Sequence, residues 1–202
     1  MSPKHQLTDQ VKLLQKVAII RQKGADLEVL LLQRSQTAKS RPGAWDLPGG
    51  NSEWPSKNQV STADLHLTDL NREIREETGL EVAESAFMLK LPVHFSTYFD
   101  SEQQIYTVIC GWLLNFASTN QAKIQISDEH QTFAWVAGAD LPKYDFGGDS
   151  GTFVLDIIQK ALLEFSKQQN SWNFSSLPVI RSKLTPSSLL LQQNFQTQCS
   201  QE

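Results

Sequence analysis

Apolar residues recur along this chain in two different rhythms. Short aliphatic and β-branched runs come first: KLLQKVAIIRQ at 12–22 and LEVLLLQR at 27–34, with KGAD between them. Runs of this length joined by turn residues read as a β-hairpin. AWDLPGG (44–50) reads as a third strand that stops at Pro48, Gly49 and Gly50. A polar stretch, NSEWPSKNQ, then leads to STAD, where Ser61 followed three positions later by Asp64 has the pattern of a helix N-terminus. From there the rhythm changes. Ala63, Leu67, Leu70 and Ile74 fall at helical spacing, which predicts a helix over about 61–78, packed on a sheet and stopped by Gly79.

Further strands are expected within 87–99, 104–116 and 132–136. The segment 150–168 predicts a second helix, with Phe153, Ile157, Ala161 and Phe165 along one side. Beyond about residue 170 the rhythm is lost and Ser and Gln dominate. The expected organisation is a single α+β domain over 12–168, a mixed sheet with helices packed against it, followed by a loosely ordered tail at 169–202. Leu189, Leu190 and Leu191 leave a docking segment as the minority alternative.

Composition narrows the function classes. A chain of 202 residues can bury a real core. A net charge of −4 gives no general attraction to nucleic acid or anionic membrane. The longest apolar runs are far too short to span a bilayer, and MSPKHQLTDQ has no apolar stretch of signal-peptide type. Cys110 lies in an apolar run and Cys199 in the polar tail, neither at metal-ligand or redox-motif spacing. A reducing, cytoplasmic setting is the simplest expectation.

The informative chemistry lies in NREIREETGL, residues 71–80. Glu73 and Glu77 are like charges four residues apart on a helix, an arrangement that weakens it by a few tenths of a kcal/mol. With Glu76, they fall within roughly a 100° arc beside the apolar stripe. A hard divalent cation with oxygen ligands would relieve that crowding. Arg72 is placed to pair with Glu76 one turn on. Spacing alone leaves a metal site and a solvated acidic face about equally open.

REIREETGL resembles, position for position, the second half of the Nudix box: Arg-Glu-aliphatic-any-Glu-Glu-any-Gly-aliphatic. AWDLPGG is similar to the Trp-x-Leu-Pro-Gly-Gly segment that commonly precedes it. The match covers nine consecutive positions. One departure is clear. Gly50 and Arg72 stand 22 positions apart where the family pattern has 14, so eight extra residues lie between the glycine and the helix, in or near NSEWPSKNQV. This blurs the first glutamate of the box, for which Asp64, Ser56 and Glu53 compete.

The resemblance implies an α/β/α sandwich and a hydrolase that cleaves the diphosphate bond of a nucleotide derivative by water attack on phosphorus. It also implies Mg²⁺, with Mn²⁺ a substitute, held by Glu73, Glu76, Glu77 and the Gly50 carbonyl. Glu73 and Glu129 are the candidate bases, Glu129 also a candidate ligand, and Arg72 the positioning arginine. Arg34, Phe95, Tyr98 and, on the inserted loop, Trp54 are the candidate substrate contacts. The expected partner is a small nucleotide, with no DNA-binding domain and no membrane; a homodimer stays open. A non-catalytic Nudix domain that binds a nucleotide as sensor or scaffold is the alternative.

Overall fold

β1 (Val11–Lys23) and β2 (Asp26–Arg34) form the expected hairpin, and a computed structural model describes it together with the rest of residues 10–53, 64–82, 86–87 and 91–175. The two strands pair only from Ile20↔Val29 to Lys23↔Asp26 and then part. The chain after β3 (Trp45–Asp46) enters the gap. β3 pairs with Leu32 and Gln33 of β2, and the segment that follows runs along β1. There the Val17 N–H donates to the Pro48 carbonyl and the Gln15 N–H to the Gly50 carbonyl, each at 2.9 Å. The Pro-Gly-Gly segment is therefore held by sheet hydrogen bonds.

β5 (Ile105–Asn115) lies parallel to β1, and β4 (His94–Asp100) antiparallel to β5. β6 (His130–Ala137) pairs antiparallel with β2. The sheet is thus mixed, in the order β3-β2-β1-β5-β4 with β6 on the remaining edge of β2. Alternation along β1 builds two cores. Val17 and Ile19 point to one face, packing with Leu70 and Ile74 of α1 (Leu65–Thr78). Ala18 and Ile20 point to the other, with Val154, Ile157, Ile158, Ala161 and Phe165 of α2 (Thr152–Ser175). The result is the α/β/α sandwich of an α+β chain.

Three boundaries differ from expectation. α1 starts at Leu65; its N-cap Asp64 has φ 53° and makes no side-chain capping bond, while Ser61 and Ala63 lie outside the described residues. β4 starts at His94 because Pro92, which has no N–H, cannot enter a ladder, and Phe87 makes only an isolated bridge to Leu114. α2 continues past Gln168 to Ser175, since no proline or glycine interrupts the chain before Pro178. By internal contacts the chain divides into two units, 1–168 and 169–202, and the division falls inside α2. The expected loose tail after Ser175 lies outside the described residues. Among the described residues no helix is long and apolar enough to cross a membrane.

Two glycines shape the ground for the site. Gly79 ends α1 in the left-handed region at φ 70°, its N–H bonded to the Arg75 carbonyl. Gly49 has φ 120°, and a Cβ there would stand 2.3 Å from the Gln15 carbonyl oxygen. Gly49→Ala should cost about 3 kcal/mol or more, combining backbone strain with a clash against backbone that cannot yield. Urea unfolding of the variant measures it; a loss below about 1 kcal/mol would show that this turn is not rigid.

Candidate active site

Helix geometry ranks the three glutamates. Relative to the buried Ile74, successive residues of α1 turn by about 100°, so Glu77 lies about 60° from it, Glu73 about 100° and Glu76 about 160°. Exposure follows that order: the side chains of Glu77, Glu73 and Glu76 are 9%, 17% and 53% exposed. Glu77 belongs to the buried stripe with Leu70 and Ile74, an expensive place for a carboxylate.

Glu77 accepts the backbone N–H of Gly49 at 2.7 Å. Burial pushes its carboxyl up to about 7; the Lys16 charge and the Gly49 N–H pull it down, while Glu73 and Asp46 add to the rise. The protein's own groups therefore leave this carboxylate only partly compensated. Burial likewise raises Glu73, against the pull of Arg72. Arg72 spreads its guanidinium over its neighbours, with Nη2 at 2.9 Å from Glu73, Nη1 at 2.8 Å from Glu76 and Nη2 at 3.6 Å from Glu53.

Part of this set borders a cleft of about 550 Å³. Glu53, Glu73, Glu77 and Glu129 line it, and so do Lys12, Lys16, Arg34 and Arg41. The cations are organised by Asp46, which is fully buried. Its carboxylate lies 2.6 Å from Arg41, 3.2 Å from Lys16 and 3.5 Å from Arg34, and accepts the Leu47 N–H at 2.8 Å. Burial pushes Asp46 up, but Lys16, Arg41, the Leu47 N–H and Arg34 together hold it below the ordinary carboxylate range. His130, at the start of β6, places Nε2 3.8 Å from Glu77. Burial, with Lys16 and Arg34, lowers it to about 4, so it is neutral near pH 7 and forms no ion pair there.

The residues singled out in the sequence fall into distinct places. Glu73, Glu77, Gly50, Arg34 and Glu129 line the cleft. Glu76 faces outward against Arg72. The Gly50 carbonyl is engaged by the Gln15 N–H. Phe95 and Tyr98 stand exposed on β4, outside the cleft lining, although Tyr98 pairs across the sheet with Thr107, which does line it. Of the competitors for the first box glutamate, Glu53 lies in the cleft, Asp64 at the helix N-cap, and Ser56 outside the described residues. Trp54 and the inserted segment also lie outside them. Lys16, Arg41, Asp46 and His130 were not anticipated. A lysine inside the apolar run KVAII was the available signal for the first of these.

The donor set suits a hard cation: carboxylate oxygens, with Glu77 short of compensating charge. Room is kept beside Glu73 by the absence of a side chain at Gly50, where a Cβ would come within 2.8 Å of the Glu73 carboxylate. Among the described residues, no three acidic, imidazole or thiol groups converge into a metal-holding cluster as they stand. The physical reason is that Arg72 draws Glu73 and Glu76 to itself while the Gly49 N–H holds Glu77.

A family model for the NUDIX domain matches residues 14–156. The nucleoside triphosphatase NudI of Escherichia fergusonii is 34% identical over 108 residues, covering 52% of this chain and 69% of that protein. NudI of Escherichia coli strain SE11 is 32% identical over the same span. Among solved structures, a MutT protein from Methanosarcina mazei Go1 aligns over 79% of this chain and 98% of its own, with TM-score 0.54 and 20% identity. The NUDIX domain of Shewanella oneidensis NrtR, complexed with ADP ribose, aligns over 79% and 90%, with TM-score 0.54 and 18% identity. At such identities the structures speak for the fold.

Proposed function

The chain belongs to the NUDIX family as a hydrolase of diphosphate bonds, and from that premise we propose that it is a Mg²⁺-dependent pyrophosphohydrolase acting on nucleoside triphosphates. The observation that carries this reading is the cleft itself, which sets α1 carboxylates against a basic cluster organised by Asp46. The likeness to a nucleoside triphosphatase favours that substrate class over other nucleotide derivatives.

Arg34, Arg41 and Lys12 line the cleft and supply positive charge for phosphate oxygens, although Arg41 is already bonded to Asp46 and the Phe146 carbonyl, and Arg34 to the Ser40 carbonyl and Asp46. Glu73, Glu76, Glu77 and Glu129 would hold the cation. When bound, a divalent ion supplies charge to offset the phosphates and lowers the pKa of water. Arg72 holds Glu73 and Glu76 to itself, and the cation would have to draw them off that guanidinium. Glu129 offers an exposed carboxylate to receive the proton of the attacking water. Phe95 and Tyr98 are left the role of contacting the base, which requires the nucleoside to extend toward β4.

The purified chain, assayed with Mg²⁺ against nucleoside triphosphates (oxidised ones included), nucleotide sugars, ADP-ribose and dinucleoside polyphosphates, tests this. Release of pyrophosphate or phosphate from a triphosphate is expected. Nucleotide binding without turnover of any substrate would favour a sensor instead.

A pH dependence follows from Glu77. A ligand must shed its proton to take a cation, and burial holds this carboxyl at about 7. Mg²⁺ affinity by calorimetry should therefore fall progressively from about pH 8 to about pH 5.5, with protons released on binding. A flat affinity over that range would place the ion away from Glu77.

A further inference from the structure

β4 closes one side of the sheet, pairing among the described strands with β5 alone. An outer strand presents a row of backbone N–H and C=O groups, and proteins commonly blunt such an edge with lysine, proline or a bulge. HFSTYFD contains no lysine or proline, and its register runs from His94↔Gly111 to Asp100↔Ile105 without a shift. Two of its aromatic side chains, Phe95 and Phe99, are 63% and 46% exposed. Both point to the α1 side of the sheet, since Phe95 stands opposite Cys110, which borders that core.

The charges on the other side of the strand are complementary end to end. His94 faces α2, where the Lys160 ammonium lies 3.1 Å from its Nδ1. Burial and that ammonium hold His94 below its ordinary range, so Lys160 rests against a neutral ring. At the far end, Asp100 Oδ1 accepts the N–H groups of Glu102 and Gln103, which leaves Oδ2 for another donor. Among the described residues neither Lys160 nor Asp100 enters an ion pair.

We infer that two copies of this chain pair through β4, antiparallel about a two-fold axis at Thr97, so that their sheets become one. Centred there, the strand sets Phe95 against the partner's Phe99, Thr97 against the partner's Thr97, and His94 against the partner's Asp100. Residues directly opposite share a face, so two aromatic pairs cover the apolar side. On the other side each Asp100 carboxylate comes alongside the ammonium that the other copy holds at His94. A two-fold interface needs a patch that complements itself, and this strand carries both halves of every contact. Moving the register by two residues either way would put a phenylalanine against Thr97 and part Asp100 from His94. With Phe95 covered, the role of contacting the base falls to Tyr98, which lies on the face of Thr107 and the cleft.

Sedimentation velocity on the full chain should find a dimer that dissociates on dilution through the micromolar range. Asp100→Lys and Lys160→Glu each set like charges across the axis, and each should be monomeric where wild type is dimeric. Mixing the two variants in equal amounts should restore the dimer, because each chain then offers the charge that the other lacks. That recovery would also show that both variants fold. Thr97→Cys should cross-link the two copies under mild oxidation, with peptide mapping placing the bond at position 97.

Wild type that stays a single chain at about 100 μM overturns the inference. So does a dimer that survives both charge reversals and does not cross-link at position 97, since its interface would lie on another surface. Should either reversal fail to fold, the cross-link decides alone. None of these readouts depends on the cleft, so their failure leaves the hydrolase reading as it stands.

Discussion

Glu77→Gln is expected to lower turnover by roughly a hundredfold or more while leaving the metal-free protein as stable as wild type, or more stable, at pH 8. The activity loss follows from removing an anionic ligand whose cation offsets phosphate charge, an effect of several kcal/mol on the barrier. Stability goes the other way for a separate reason. The folded state holds Glu77 at about 7 against 4.5 for an ordinary glutamate, so the folded protein binds that proton more tightly than the unfolded chain. Stability then falls as pH rises from about 4.5 to about 7, and above that the ionised group costs about 3 kcal/mol. Glutamine removes the charge and can still accept the Gly49 N–H that Glu77 accepts at 2.7 Å. Thermal unfolding in EDTA at pH 5 and pH 8, run beside a turnover assay, checks both halves. A variant that loses activity only because it unfolds would contradict this account.

Asp46→Ala is expected to cost about 3–5 kcal/mol, because it leaves Lys16 and Arg41 buried beside one another with no anion between them. In a domain of this size, that is a fall in melting temperature of about 10 °C or more. The pH profile identifies the cause. The folded state holds the Asp46 carboxyl below its ordinary 3.8, so its contribution is present above that value and lost as pH falls through the lower, folded one. Wild type should accordingly show an acid-unfolding step at low pH that is smaller in Asp46→Ala. Because Arg34 and Arg41 line the cleft and Asp46 holds both, the variant should also lose affinity for triphosphate. Urea titration across pH measures the first effect. A cost near zero would mean that the three cations are held by solvent rather than by Asp46.

What the sequence revealed, and what it hid, follows from which interactions are local. The helix carrying Glu73, Glu76 and Glu77 was readable because Leu70 and Ile74 mark its buried face at fixed angular steps, and the same steps rank the burial of the three glutamates. The hairpin was readable from two aliphatic runs and a turn. β4 occupies only the later part of the apolar run 87–99, since Pro92 interrupts a pattern that continues through it. α2 runs past the point where Ser and Gln begin to dominate, because those residues change the composition without breaking a helix. The Asp46 cluster could not be read at all. Lys16, Arg34 and Arg41 come from β1, β2 and the loop before β3, and only the insertion of the Pro-Gly-Gly segment between the parted strands brings them to one carboxylate. Likewise His130 and Glu77 are neighbours through tertiary packing alone.

We propose above that the carboxylate face of α1 works through a divalent ion on a nucleotide diphosphate bond. The most direct test is the rate of pyrophosphate release from a nucleoside triphosphate by wild type in EDTA, then after excess Mg²⁺ is restored. No release is expected in EDTA and full recovery with Mg²⁺, with Glu77→Gln slower than wild type by roughly a hundredfold or more once Mg²⁺ is restored. Release that continues undiminished in EDTA, or a Glu77→Gln variant as fast as wild type, would contradict it.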